Sequence, residues 1–260
     1  MTLKYMFDEL RKKKGKAFMA HVYCGDPSVE FSERVIRELE GSIDLLELGI
    51  PFSDPLADGT VFQQACQRAI AAGATPKDVF SLAKRLRKDG FEKPIVLTTY
   101  YNIVFRMGLE RFVSELKDAG IQGVIVPDLP FEESGQLREL CEENAVALIS
   151  IIAPTTDDAR VRDILRGASG FVYLVSVTGV TGTDKKAGED LKAVVRSIRK
   201  HSRLPVLIGF GIAGQKQVEA LKTLGVDGVI VGSEICRLYQ ESIEKVRPFA
   251  EEIRRACQKI

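Results

Sequence analysis

Eight short apolar, β-branched runs recur along this chain and alternate with longer amphipathic stretches. The runs cover 17–23, 43–48, 94–99, 122–126, 145–152, 170–175, 205–209 and 227–231. Between them, 31–39 carries Val35, Ile36 and Leu39 on one helical stripe. Segments 109–119, 134–143, 191–200 and 215–224 have the same period. Ser28, Thr75-Pro76 and Asp157-Asp158 are helix start signals, and Lys200 and Lys222 fall near helix ends, where a cation suits the dipole. Strand–helix alternation repeated eight times predicts an α/β protein built as a (β/α)8 (TIM) barrel. A doubly wound sheet is the competing architecture; the count of eight and the absence of an early GxGxxG turn favour the barrel. Residues 1–14 read as an extra N-terminal helix placed to cover the barrel bottom. With no linker or low-complexity tract, 1–260 reads as a single domain.

Composition excludes several function classes. The 260 residues carry 37 basic and 36 acidic side chains, a net charge of +1 that offers no footprint for nucleic acid or an anionic membrane. No apolar run approaches a membrane span, and 1–16 lacks the apolar region of a secretory signal. Cys24, Cys66, Cys141, Cys236 and Cys257 are odd in number and form no CxxC pair, which predicts thiols in a reducing cytoplasm. With His21 and His201 the sole histidines, no His-based metal site is expected.

Catalytic groups of such a barrel sit at the C-terminal ends of its strands. The second run ends in Glu47, and Asp54 and Asp58 follow on a loop punctuated by Pro and Gly. A strand buried on both faces has little use for a Glu that does nothing. Glu47 is either a buried ion-pair partner or an acid–base residue whose burial raises its pKa, and its place at the catalytic end favours the second role. Asp58 before Gly59 is also compatible with plain turn chemistry. Phe52, Tyr100 and Phe210 either line an apolar pocket or pack the core. Gly209 and Gly211 allow close backbone approach to a ligand, and Gly232-Ser233 precedes a segment able to start a helix. Together these predict a phosphate site after the last two strands. Residues 175–188, rich in Gly, Thr and Ser, read as a mobile lid.

Taken together, these segments resemble the tryptophan synthase α chain family. ELGIPFSDPLADG at 47–59 is close to that family's signature. Gly25-Asp26-Pro27, VPDLPFEES at 126–134, VSVTGVTG at 175–182, GFGI at 209–212 and Gly232-Ser233 follow in the family's order. The resemblance covers essentially the whole chain. It implies cleavage of indole-3-glycerol phosphate to indole and glyceraldehyde 3-phosphate. It also implies a pyridoxal-phosphate β chain as partner in an α2β2 tetramer, with no cofactor in the α chain itself, and the loops at 54–59 and 128–134 would face that partner. By the same resemblance, Glu47 matches the general acid–base residue. Asp58 matches the carboxylate that holds the indole N–H, and Tyr173 a tyrosine near the reacting side chain. Gly182, Gly211, Gly232 and Ser233 match phosphate-binding positions, and Thr181 a lid threonine that closes over Asp58.

The chain departs from the family pattern at the indole pocket. His21 stands where an aromatic such as Phe or Tyr is usual, and Thr98 where a larger apolar residue is common. Thr60 follows Gly59 where Pro is frequent. A more polar pocket keeps a second reading open, a subunit that activates a β chain but catalyses poorly. A sugar-phosphate epimerase barrel is a third reading, disfavoured by the lack of strand-end histidines other than His21.

Overall fold

The computed structural model describes residues 1–176, 185–209 and 211–258, with the side chains of 185–187 and 222 outside that description. Its parallel strands are β1 (Ala17–Tyr23), β2 (Leu45–Gly49), β3 (Ile95–Thr98), β4 (Gly123–Ile125), β5 (Ala147–Leu148), β6 (Ser150–Ile152), β7 (Val172–Val175), β8 (Val206–Gly209) and β9 (Gly228–Val231). They form one sheet in the order β5-β4-β3-β2-β1-β9-β8-β7-β6. The edge segments β5 and β6 are consecutive in the chain and separated by Ile149 alone. The predicted strand at 145–152 is thus one stave in two pieces, the first paired with β4 and the second with β7. Eight staves curl into a nearly closed TIM barrel, the predicted fold.

The helices form where the sequence places caps and apolar stripes. Helix Val29–Glu40 starts at Ser28, whose hydroxyl accepts the Phe31 N–H at 3.1 Å, and it buries Ser32, Val35, Ile36 and Leu39 on one face. Thr75 and Asp78 form a capping box at the head of Pro76–Lys88. Asp157 caps Asp158–Leu165. Several boundaries differ from the sequence reading. The stretch at 215–224 divides into helix Gln215–Ala220 and a 3-10 turn, Leu221–Leu224. Helices Thr60–Ala71 and Tyr101–Met107 lack so clean a sequence signal, whereas Val246–Gln258, absent from the sequence reading, carries a clear stripe of Val246, Ala250, Ile253 and Cys257. Thr60–Ala71 buries only small residues, Ala65, Cys66 and Ala69, which weakens its apolar stripe.

Two cores result. One lies between the strands and the surrounding helices. The other fills the barrel with inward residues that alternate along each stave, such as Met19, Leu45, Val96, Phe171 and Ile230. Helix Leu3–Lys12 closes the barrel's N-terminal end, as the sequence reading expected. It inserts Leu3, Met6, Phe7 and Leu10 into this inner core, and Phe7 meets Phe171 with ring centroids 6.0 Å apart. The five cysteines are all buried, and none forms a disulfide. No described helix is long and apolar enough to cross a membrane.

Because Phe7 is 5% exposed and plugs the barrel floor, Phe7→Ala is expected to cost about 3–5 kcal/mol of stability. Urea unfolding followed by circular dichroism measures this. A loss under about 1 kcal/mol, the scale of a surface change, would mean that the helix caps the barrel without stabilising it.

Candidate active site

Side-chain alternation on β2 points Leu45, Glu47 and Gly49 into the barrel. Register sets their neighbours. β1 pairs His21 with Glu47 and Tyr23 with Gly49, and β3 pairs Val96 with Glu47 and Thr98 with Gly49. Glu47 is 1% exposed. The Thr98 hydroxyl donates to Glu47 Oε1 at 2.5 Å, and His21 Nδ1 lies 3.4 Å from the same oxygen. Burial pushes the Glu47 carboxyl up to about 8, against the opposing pull of the Thr98 hydrogen bond and with a smaller push from the Asp58 charge. Burial likewise drives His21 down to about 3. Both groups are therefore neutral at pH 7, and their contact is not an ion pair. Among the described residues, neither Glu47 Oε2 nor His21 Nε2 has a hydrogen-bond partner.

Asp58 belongs to the loop after β2, yet it is held by the barrel. Tyr23 Oη donates to its Oδ2 at 2.7 Å and Tyr100 Oη to the same atom at 2.9 Å. The Ala57 N–H donates to Tyr100 Oη at 3.1 Å and ties the loop to the end of β3. Burial raises the Asp58 pKa, and the two phenol donors work against that rise by favouring the carboxylate. Asp58 is thus engaged in more than turn chemistry. Tyr100 serves it as a polar partner while its ring stacks on Phe52 at 5.1 Å. Sequence reasoning places Tyr23 at the catalytic end of β1 but gives it no role; it lies two residues beyond His21 on the same face of that strand.

Glycine makes room for these rings. A Cβ on Gly49 would stand 2.5 Å from the Tyr23 ring and 2.9 Å from His21 Nε2, and one on Gly209 would stand 2.6 Å from Tyr173 Oη. Gly209 thus yields its space to the tyrosine expected near the reaction. Phe62, unforeseen from the sequence, packs on His21 and Tyr23 with centroids 4.5 and 5.2 Å apart. A cavity of about 370 Å³ opens here, lined among others by His21, Asp58, Tyr173, Gly211, Gly232 and Ser233. Helix Ser233–Glu241 begins at this cavity with no side-chain cap, so its first N–H groups are available to an anionic group there. Arg237 of the same helix also lines the cavity.

A buried clamp fixes the two ends of this cavity. Asp26 receives two bonds from Arg68, at 2.7 and 2.8 Å, and one from the Tyr239 hydroxyl at 2.6 Å. It thereby joins the loop after β1 to the helix that follows Asp58 and to the helix that follows Ser233. Of the expected site residues, Thr181, Gly182 and Phe210 lie outside the described residues, as does most of the expected lid. Residues 185–188 are not loop; they begin helix Lys185–His201. Among the described residues, no group of three or more His, Cys, Asp and Glu side chains is placed to hold a metal ion.

A TIM barrel with a buried carboxyl, Glu47, on its inner wall, and with Asp58 and an open helix N-terminus in one C-terminal cavity, defines an acid–base enzyme acting on an anionic substrate. The comparisons with known proteins make this specific. The tryptophan synthase alpha chain model matches residues 7–260. The alpha chain of Methanocaldococcus jannaschii is 44% identical over 245 residues, covering 94% of this chain and 87% of that protein. The alpha subunit structure from Campylobacter jejuni superposes with a TM-score of 0.84 at 37% identity, covering 94% and 98% of the two chains. A chain from the tryptophan synthase complex of Pyrococcus furiosus gives 0.84 at 31%, covering 95% and 100%. The chain belongs to the tryptophan synthase alpha chain family, lyases that cleave indole-3-glycerol phosphate.

The charge states predict a pH signature. Between pH 4.5, the ordinary value, and about 8, folded Glu47 holds a proton that the unfolded chain releases, so its contribution lowers stability as pH rises. His21 acts oppositely. Between about 3 and 6.5 the unfolded chain binds a proton that folded His21 refuses, so stability is lost as pH falls. Above 6.5 the His21 slope has ended and the Glu47 slope remains, about 1.4 kcal/mol per pH unit. Stability is expected to fall by about 2 kcal/mol from pH 6.5 to 8 through this group, and Glu47→Gln to remove that component. An identical slope in the variant would contradict a neutral folded carboxyl.

Proposed function

We propose that Glu47 and Asp58 carry out the cleavage as unlike partners. Neutral Glu47 gives its proton to indole C3, which becomes tetrahedral, and positive charge develops at the ring nitrogen. Among the described residues, both tyrosine hydrogen bonds to Asp58 end on Oδ2. Oδ1 is the oxygen for the indole N–H, where the carboxylate stabilises that charge. The ionised Glu47 then takes the proton of the hydroxyl on the carbon bonded to C3. That carbon becomes the aldehyde of glyceraldehyde 3-phosphate, the C3–carbon bond breaks, and its electrons restore the indole ring. Glu47 ends protonated, so the cycle balances. Tyr173 packs against the reacting side chain. Gly211, Gly232 and Ser233, with Gly182, hold the phosphate at the N-terminus of Ser233–Glu241. Thr181 closes over Asp58. The observation that carries this reading is the contrast between a carboxyl buried in the barrel wall, whose pKa burial pushes up to about 8, and a second one that accepts hydrogen bonds from two phenols.

The indole goes to a pyridoxal-phosphate β chain, in an α2β2 assembly within the cytoplasm. The P. furiosus relative is known as a tryptophan synthase complex. This chain has a fitting surface at the same rim. Leu56, on the Asp58 loop, is 91% exposed, and Phe105, on the helix after Tyr100, is 68% exposed. The Tyr101 N–H donates to Asp128 Oδ1 at 2.8 Å and joins that helix to the second partner-facing loop.

Glu47→Gln is expected to lower indole release by about 10²–10⁴-fold, the usual worth of a positioned acid–base group, with an unchanged circular dichroism spectrum. Near-normal turnover in that variant would sink the mechanism. Poor turnover by the wild-type chain both alone and mixed with a β chain would instead support the purely activating role. Leu56→Asp is expected to weaken β-chain binding at least about tenfold by placing a charge in an apolar contact, as read by titration calorimetry, while its own unfolding midpoint stays put.

A further inference from the structure

The proton on Glu47 has to sit on one oxygen, and the neighbours of the carboxyl select it. Thr98 has a single hydroxyl hydrogen, and it donates to Oε1 at 2.5 Å. A carboxyl oxygen that receives a hydrogen bond at this distance is the carbonyl-type oxygen, because the hydroxyl-type oxygen is the poorer acceptor. His21 Nδ1 faces that same Oε1 at 3.4 Å. A neutral imidazole bears hydrogen on one nitrogen. A bare Nδ1 would oppose two lone pairs inside the barrel, so the hydrogen belongs on Nδ1. The rings of Tyr23 and Phe62 pack on the imidazole at 4.8 and 4.5 Å and hold it beside the carboxyl. This leaves Glu47 Oε2 and His21 Nε2 buried with no described partner, the first a donor and the second an acceptor. His21 lines the cavity itself.

We propose that Thr98 and His21 are positioning residues for the cleavage: they hold Glu47 Oε1 as an acceptor, place the carboxyl's proton on Oε2 for delivery to the substrate, and leave His21 Nε2 as an acceptor for a donor group of the bound indole-glycerol. The proposal rests on Glu47 being the acid of the lyase reaction. The groups that face Glu47 are His21 from β1, Thr98 from β3, Asp58 from the loop after β2, and Tyr173 from β7. Thr98 donates a hydrogen bond to Oε1, and the Nδ1–H of His21 points a second donor at the same oxygen; both favour the ionised form, while the Asp58 charge opposes it.

Two measurements test it. Side-chain 15N NMR of the whole chain reads the tautomer of His21 directly, because His201 is the one other histidine and His21→Phe assigns the signals. The Nδ1–H tautomer is expected, and the Nε2–H tautomer would overturn the assignment. The second is the pH profile of kcat/KM for indole release, whose descending limb reports Glu47 in the free enzyme. Thr98→Val is expected to move that limb up by about one pH unit, the worth of one hydrogen bond to a charged group. Thr98→Ser, which keeps the hydroxyl, is expected to leave it in place. A Val variant of lower rate but with an unmoved limb would reduce Thr98 to packing and end the proposal. Normal turnover in Glu47→Gln would instead end the underlying lyase reading. Should the Val variant not fold, the wild-type tautomer decides alone.

Discussion

A carboxyl on the inner face of a closed barrel cannot be hydrated, so it must be neutralised, paired or kept protonated. Glu47 takes the third course. Its neighbours on adjacent staves, His21 and Thr98, are uncharged, and among the described residues no cation is placed to hold it as a carboxylate. The cost of burying a charge thus raises its pKa to about 8, and in the proposed mechanism this makes it the proton donor. Much of the site follows from this constraint. The inner layer beside Glu47 has to be polar yet neutral, the ring of Tyr23 has to fit over a glycine, and the second carboxylate has to stand on a loop, at the wet end of the barrel.

Asp58 shows the complementary solution. It too is partly desolvated, but two phenols donate to one of its oxygens and favour its anion. The donors come from β1 and from the end of β3, so a loop residue inherits its position from the barrel. The Asp26 clamp repeats this on a larger scale. A single buried carboxylate, bound by Arg68 and Tyr239, connects the helix behind Asp58 to the helix that opens on the cavity. A bidentate guanidinium bond and a phenol give that joint directional rigidity that apolar packing alone would lack.

Much of this was legible along the chain. Strand β1 runs over the predicted residues, and the other staves begin or end within a residue or two of the expected bounds, except that 145–152 is interrupted at Ile149. Strands buried on both faces read as continuous apolar runs, which is why Glu47 stood out. Several helices with wide apolar stripes were equally plain. Helix Thr60–Ala71, whose buried face is made of Ala and Cys, was not, because small residues carry little periodic contrast. The partners of the carboxyls were the least visible part. Tyr23 and Asp58 are 35 residues apart, Arg68 and Asp26 are 42, and Thr98 and Glu47 are 51. No local pattern links such pairs; strand register and barrel closure do.

The sequence by itself determined the class of fold and the family, and it singled out Glu47 and Asp58 as candidates, since alternation, capping and a long signature segment are all local properties. Only the tertiary structure decided the chemical state of those carboxylates. Whether Glu47 is neutral, whether His21 is a charge or a lone pair, and whether Tyr23 packs or donates depend on which side chains meet across the sheet and how much water remains. Those quantities are set by register between staves and by burial inside the closed barrel, and neither is encoded within any single segment.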